Sequence, residues 1–225
     1  ECGKPDVSVS TVPNTNTAEI AVAKKAKVVT GSEMPTFFAN KLKALGGDPK
    51  DSILVRFGAS KKIGGVTITT VPATHSNGIS GAMIGGDLGK MMGDAGLTAY
   101  AGPPTGYVLT FSNGLVAYLS GDTGITAEQD LVVRRHYKAN LVVMNIGGFP
   151  FTTGPAEAAY VVNELVRPNS VIASHANEPA TINGKLTPNS RTAAFRKAAR
   201  MPVHVPLSGR TMEFDGGGRC ASGCQ

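Results

Sequence analysis

Tryptophan is absent from this 225-residue sequence, aromatic residues make up only 6% of it, cysteine occurs three times and histidine four. Each scarcity closes off a class. The 22 lysines and arginines are scattered, apart from short clusters such as Lys24-Lys25, Lys61-Lys62 and Arg134-Arg135. With so few rings among them, the chain lacks the interleaved basic and stacking surface of a nucleic-acid binder, despite a net charge of +6. A nucleic-acid partner is therefore not expected, and a merely basic surface is. No apolar run reaches the roughly 18 residues of a membrane span, so no segment is expected to cross a bilayer. The opening "ECGKPDVSVS" is polar, without the charged-then-apolar order of a signal peptide, and reads as the interior of a longer sequence.

All three cysteines, Cys2, Cys220 and Cys224, lie at the chain ends. The pair in "GRCASGCQ" has no second pair of ligands near it, a poor pattern for zinc. A disulfide from Cys2 to one tail cysteine would tie the ends together and place the protein in an oxidising compartment, secreted or periplasmic. The odd count leaves one cysteine free or paired elsewhere.

What is present is a 41% apolar chain, enough to bury a real core. "NTNTAEIAVAKKAK" sets Asn14, Asn16 and Thr17 before an apolar periodicity, which predicts a helix over 17–26. "KVVT" follows as a short strand. Ser32, the face Phe37, Phe38, Leu42 and Leu45, and the stop Gly46-Gly47 predict a second helix. "SILVRFG" and "VTITTVPA" are strand-like. Residues 76–106 are rich in glycine and methionine with weak helical spacing across 82–95; they read as a loop insertion, either a lid over a pocket or a surface excursion. Asn113-Gly114 marks a hairpin between two strands. Helices over 126–138, 154–166 and 189–200 then alternate with strands over 140–146, 170–174, 202–206 and 210–214. The class is α/β, in one domain over 1–225 that ends in a Gly/Cys tail at 216–225.

In such a chain, functional groups gather at the carboxyl ends of the strands. His75 ends "VTITTVPAT", Asp122 ends "LVAYLS" and His175 ends "SVIAS"; Asn145 sits where "LVVMNIGG" runs out into glycine. Two imidazoles and a carboxylate are donors that zinc accepts, and that iron and manganese accept to differing degrees. Ser120 and Thr123 beside Asp122, and Ser76, Ser174 and Asn177 beside the histidines, can fix ligand orientation by hydrogen bonds. His136 and His204 fit ordinary structural positions: one late in a helix, where a cation suits the terminus, the other inside a short strand.

At these residues the sequence resembles the metallo-β-lactamase-fold metal-dependent hydrolases, in their lactonase-like branch. "GGVTITTVPATHS", "VAYLSGDTG" and "VIASHANE" are similar to three successive metal motifs of that family, and the likeness spans most of 20–215. It implies an αββα sandwich, incomplete at its N-terminus, because the family's His-x-His-x-Asp-His motif is absent. It also implies that His75 binds a first metal, Asp122 bridges two, and His175 binds the second. Two zinc ions would then hold a hydroxide that attacks an ester, lactone, amide or phosphodiester. Asp122 is the catalytic carboxylate in this reading, with Tyr107 and Asn177 contacting a small-molecule substrate. Two alternatives stay open: a non-catalytic binding module that has lost half its metal site, and a nuclease of the same fold. An N-terminal fragment or a second copy of the chain would complete the fold.

Overall fold

The computed structural model describes residues 16–31 and 33–224. Contacts divide them into two compact units, one of residues 57–75 and 105–224, the other of residues 16–56 and 76–104. Each unit interleaves two stretches of sequence, which is why no linker shows in the composition.

The first unit is built on a seven-stranded sheet of Ser60–Ile63 (β1), Val66–Pro72 (β2), Thr105–Phe111 (β3), Val116–Leu119 (β4), Leu141–Asn145 (β5), Ser170–Ser174 (β6) and Val203–His204 (β7). Spatial order follows chain order, from β7 at one edge to β1 at the other. The first four strands pair antiparallel, and the hairpin between β3 and β4 turns at Gly114, whose φ is +94°. The last four pair parallel, because a helix intervenes at each step. These helices are Gln129–His136, Pro155–Tyr160 continued by Val161–Val166, and Arg191–Ala198.

All three helices cover the same sheet face. Val133, Ala158, Val162 and Phe195 from the helices pack with Val108, Tyr118, Val142, Met144 and Val171 from the sheet into one core. The opposite face carries a row in register across β3 to β7, namely Tyr107, Leu119, Val143, Ile172 and His204. These five side chains are half-buried.

Past β7, Glu213–Phe214 and Cys220–Ser222 pair as a short antiparallel ribbon. Its turn is clasped by Asn140 Nδ2 donating to Gly216 O at 3.0 Å, Asn169 Nδ2 to Gly217 O at 2.6 Å, and Ser170 Oγ to Gly218 O. The expected tail is thus an ordered element. Cys220 and Cys224 lie at disulfide distance from each other, with Cα atoms 6.3 Å apart. The expected link ran instead from Cys2 to one of these two. Cys2 itself lies outside the described residues.

In the second unit, helix Thr17–Lys24 begins at a reciprocal cap: Asn16 Oδ1 accepts from Glu19 N at 3.0 Å, and Glu19 Oε2 accepts from Asn16 N at 2.9 Å. Asn14, also expected to cap, lies outside the described residues, as does Ser32. Helix Pro35–Ala44 packs Leu42 on Ala18, Ala21 and Val28. Val28–Thr30 pairs parallel with Ser52–Leu54. Residues 76–104 contain structure the sequence reading underrated: strands Gly78–Ser80 and Thr98–Tyr100 pair around the short helices Gly81–Ile84 and Gly86–Asp94.

Candidate metal centre at the strand ends

Topology brings three of the expected positions to one end of the first unit's sheet. β2, β4, β5 and β6 run in the same direction, so the segments that follow them emerge together. Backbone bonds extend the sheet past its strands, Ser120 N to Val143 O and Ile146 N to Ser174 O, both at 3.0 Å.

The loop after β4 carries Asp122. Gly121 has φ +60°, and a Cβ there would meet Thr105 O at 2.9 Å, so the sharp turn needs glycine. Thr123 is fully buried; its Oγ1 accepts from Thr74 N at 3.0 Å, while Gly124 N donates to Thr74 O at 2.9 Å. These two bonds seat the segment leading into His75 alongside the Asp122 loop.

Asn145 ties three elements together and is 1% exposed. Its Nδ2 donates to Thr123 O at 3.0 Å and to Thr153 Oγ1 at 2.9 Å. Its Oδ1 accepts from Ser120 Oγ at 2.9 Å, and its N donates back to that oxygen at 3.1 Å. Thr153 Oγ1 donates to Asn145 O at 2.9 Å. Ser120 and Thr123, expected to orient the ligand side chain, instead organise the backbone on either side of it.

His175 follows β6 with φ +48° and Asn177 has φ +57°, left-handed conformations that few non-glycine residues adopt. The reversal turns the imidazole toward β4, and His175 Nε2 lies 3.0 Å from Asp122 Oδ2. The turn is braced from behind, where Ala176 O accepts from Arg191 Nη1 at 3.3 Å and Glu178 Oε1 accepts from Arg191 N. Gly147 fits against it so closely that a Cβ would lie 2.6 Å from His175 O.

Two donor atoms 3.0 Å apart suit one metal, since ligands about 2.0–2.2 Å from a zinc ion sit about 3.0–3.4 Å from each other. The buried Nδ1 of His175 has no hydrogen-bond partner among the described residues, so Asp122 alone orients the ring. Among the described residues no group of three or more His, Cys, Asp or Glu side chains is placed to hold a metal. The structure therefore joins Asp122 to His175 and does not gather His75 with them. His75 has its ring 6.4 Å from that of Phe151.

Tyr107 lies on the sheet face opposite the helices, and burial raises its phenol pKa. His175 also lines a cavity of about 240 Å³ shared with Glu178, Thr192 and Pro206. A larger cavity of about 850 Å³, bordered by Lys185 and Arg210, includes none of the expected site residues. Three contributors escaped the sequence reading: Thr74, Thr153 and the loop Phe149–Phe151. Thr74 and Thr153 are polar, but isolated hydroxyls in loops carry no periodicity to mark them.

No family model matches the sequence. The chain is 36% identical over 150 residues to a UPF0173 metal-dependent hydrolase of Cupriavidus necator, which covers 67% of this chain and 48% of that protein. It is 33% identical over 165 residues to another of Cupriavidus taiwanensis, covering 73% and 52%. The chain thus spans about half the length of these curated relatives. Among solved structures it is similar to Igni18, a metallo hydrolase from Ignicoccus hospitalis, with a TM-score of 0.55 and 23% identity over 85% of this chain and 70% of that one. It is also similar to an isothiocyanate hydrolase from Delia radicum gut bacteria, with a TM-score of 0.51 and 19% identity over 84% and 68%. At such identities the structural likeness speaks for the fold, while the curated relatives speak for descent. By both, the chain is similar to metal-dependent hydrolases over two thirds of its length or more.

Proposed function

We propose that the protein is a metal-dependent hydrolase acting on an ester, lactone, amide or phosphodiester, with Asp122 and His175 holding a metal and His75 joining them once it is bound. The 3.0 Å approach of His175 Nε2 to Asp122 Oδ2 supports this most directly, because it sets two donor types that zinc accepts at the ends of strands two apart. The bound metal supplies Lewis acidity and a lowered pKa for coordinated water. Zinc is the reading we favour, in two ions, with iron or manganese as substitutes; the further donors come from outside the described residues or from a second copy of the chain.

The protein's own residues position and donate. Asn145 and Thr123 hold the Asp122 loop at the strand end, and Arg191 holds the His175 turn. Tyr107, whose pKa burial moves further above neutrality, offers an O–H donor to substrate. Asn177 offers a carboxamide in the same turn as His175. The proximity of Cys220 and Cys224 supports placing the protein in an oxidising compartment, secreted or periplasmic.

One observation favours a second reading, a non-catalytic module: no three-donor cluster is assembled among the described residues. Elemental analysis of the purified protein separates the two. Hydrolase chemistry of this kind expects about two ions per chain, lost in His175→Ala. A ratio near zero, unchanged in the variant and after zinc is added, would overturn the hydrolase and leave the module.

A further inference from the structure

Phe149 is 93% exposed and Phe151 60% exposed, on either side of Pro150 in the loop that follows β5. Apolar rings left in water are common singly; two on one short turn beside a candidate metal centre are a feature to explain. The turn is tightly bonded. Gly148 N donates to Thr153 O at 3.0 Å and to Thr152 Oγ1 at 3.1 Å, and Phe151 N donates to Gly148 O at 3.2 Å. It is also fixed to both ligand loops, since Thr153 N donates to Thr123 O at 3.0 Å, next to Asp122, and Gly147 abuts His175 O. The rings are thus presented on a rigid platform where the segments bearing His75, Asp122 and His175 meet, with the Phe151 ring 6.4 Å from that of His75.

We propose that Phe149 and Phe151 form an apolar rim that receives the non-reacting part of the substrate, and that the substrate is a hydrolysable compound bearing an aromatic or bulky apolar substituent. The proposal rests on the hydrolase reading for the word substrate, and on the rings alone for binding. A ring offset over Phe149 or Phe151 gains stacking as well as burial, and because the platform is already ordered little conformational freedom is lost on binding. No charged side chain is needed at the rim, so recognition there is by shape and apolarity.

Methyl phenylacetate is the probe. Saturation-transfer NMR on the metal-free protein tests binding without turnover. The rim predicts a signal in the wild type, its loss in Phe149→Ala/Phe151→Ala at unchanged Tm, and its retention in Phe149→Leu/Phe151→Leu, which keeps the apolar surface. With zinc added, kcat/KM for methyl phenylacetate over methyl acetate is expected to be at least about tenfold, falling toward unity in the double alanine variant. Absent binding in the wild type overturns the rim even if hydrolysis is seen. So does binding that survives the double alanine change, or a double variant that alters the oligomeric state while still binding, since the rings would then be an interface between copies. Binding that behaves as predicted without any hydrolysis upholds the rim and overturns the hydrolase.

Discussion

At the scale of single residues, the cost of the site is local and legible. Seven residues other than glycine have positive φ among those described, and two of them, His175 and Asn177, bracket the turn that presents the candidate ligand. Such conformations cost on the order of 1 kcal/mol each and persist where neighbours enforce them; Arg191 and Gly147 do so here. His204 makes a different prediction. Burial, reinforced by the Arg196 cation, holds its pKa below the ordinary histidine value. As pH falls through about 6.5 the unfolded chain takes up a proton that the folded ring resists, so stability is present above that pH and declines below it. His204→Phe removes the titrating group while keeping the edge-on contact with Phe214. Its Tm should fall less than that of the wild type between about pH 7.5 and pH 5. Equal falls would place the acid sensitivity elsewhere.

At the scale of elements, the strand ends depend on one buried side chain. Asn145 supplies both the donors and the acceptor that join the Asp122 loop, β5 and the turn before helix Pro155–Tyr160. Asn145→Ala removes three buried side-chain hydrogen bonds, to Thr123 O, Thr153 Oγ1 and Ser120 Oγ, and should lower the unfolding free energy by about 2–4 kcal/mol. Urea denaturation with an unchanged m-value checks the size of the loss. Metal content should fall as well, since Asp122 follows its loop. Gly147→Ala tests the other side: the added methyl displaces His175 O, so zinc retention should drop more than stability does, read by elemental analysis beside the melting curve.

This network also marks how far the sequence could be read. Strand ends at His75, Asp122, Asn145 and His175 were recognisable because β-branched runs stop there at polar residues, and β6 falls where its pattern ends. The partners of Asn145 were not, because Thr123 and Thr153 lie 22 and 8 residues away and hydroxyls carry no periodicity. β1, with its exposed Lys61 and Lys62, escaped notice because an edge strand facing water lacks apolar alternation. Phe149 and Phe151 were invisible as a site, since a sequence does not distinguish an exposed ring from a buried one.

At the scale of the whole molecule, there are two cores. Tyr118, Val142, Met144, Val162 and Phe195 belong to the first unit's, and Ala18, Ala21, Val28 and Leu42 to the second's. Each core draws on residues apolar enough for either, and only the pairing of distant segments separates them. Leu42 is 1% exposed and sits at the centre of the smaller core. Leu42→Ala removes a buried side chain with little around it to collapse into the space, a loss of about 2–4 kcal/mol. Because that core holds helices Thr17–Lys24 and Pro35–Ala44, the destabilisation should appear there first. Hydrogen exchange read by mass spectrometry should show faster exchange across 17–54 while β4, β5 and β6 keep their protection. Metal bound at Asp122 and His175 would act on the other unit, slowing exchange at the ends of β4 and β6, because a ligand stabilises only the state that binds it. If Leu42→Ala instead loosened both sets of amides equally, the chain would unfold as one cooperative body, and zinc would then protect helix Pro35–Ala44 as strongly as the strands that hold it.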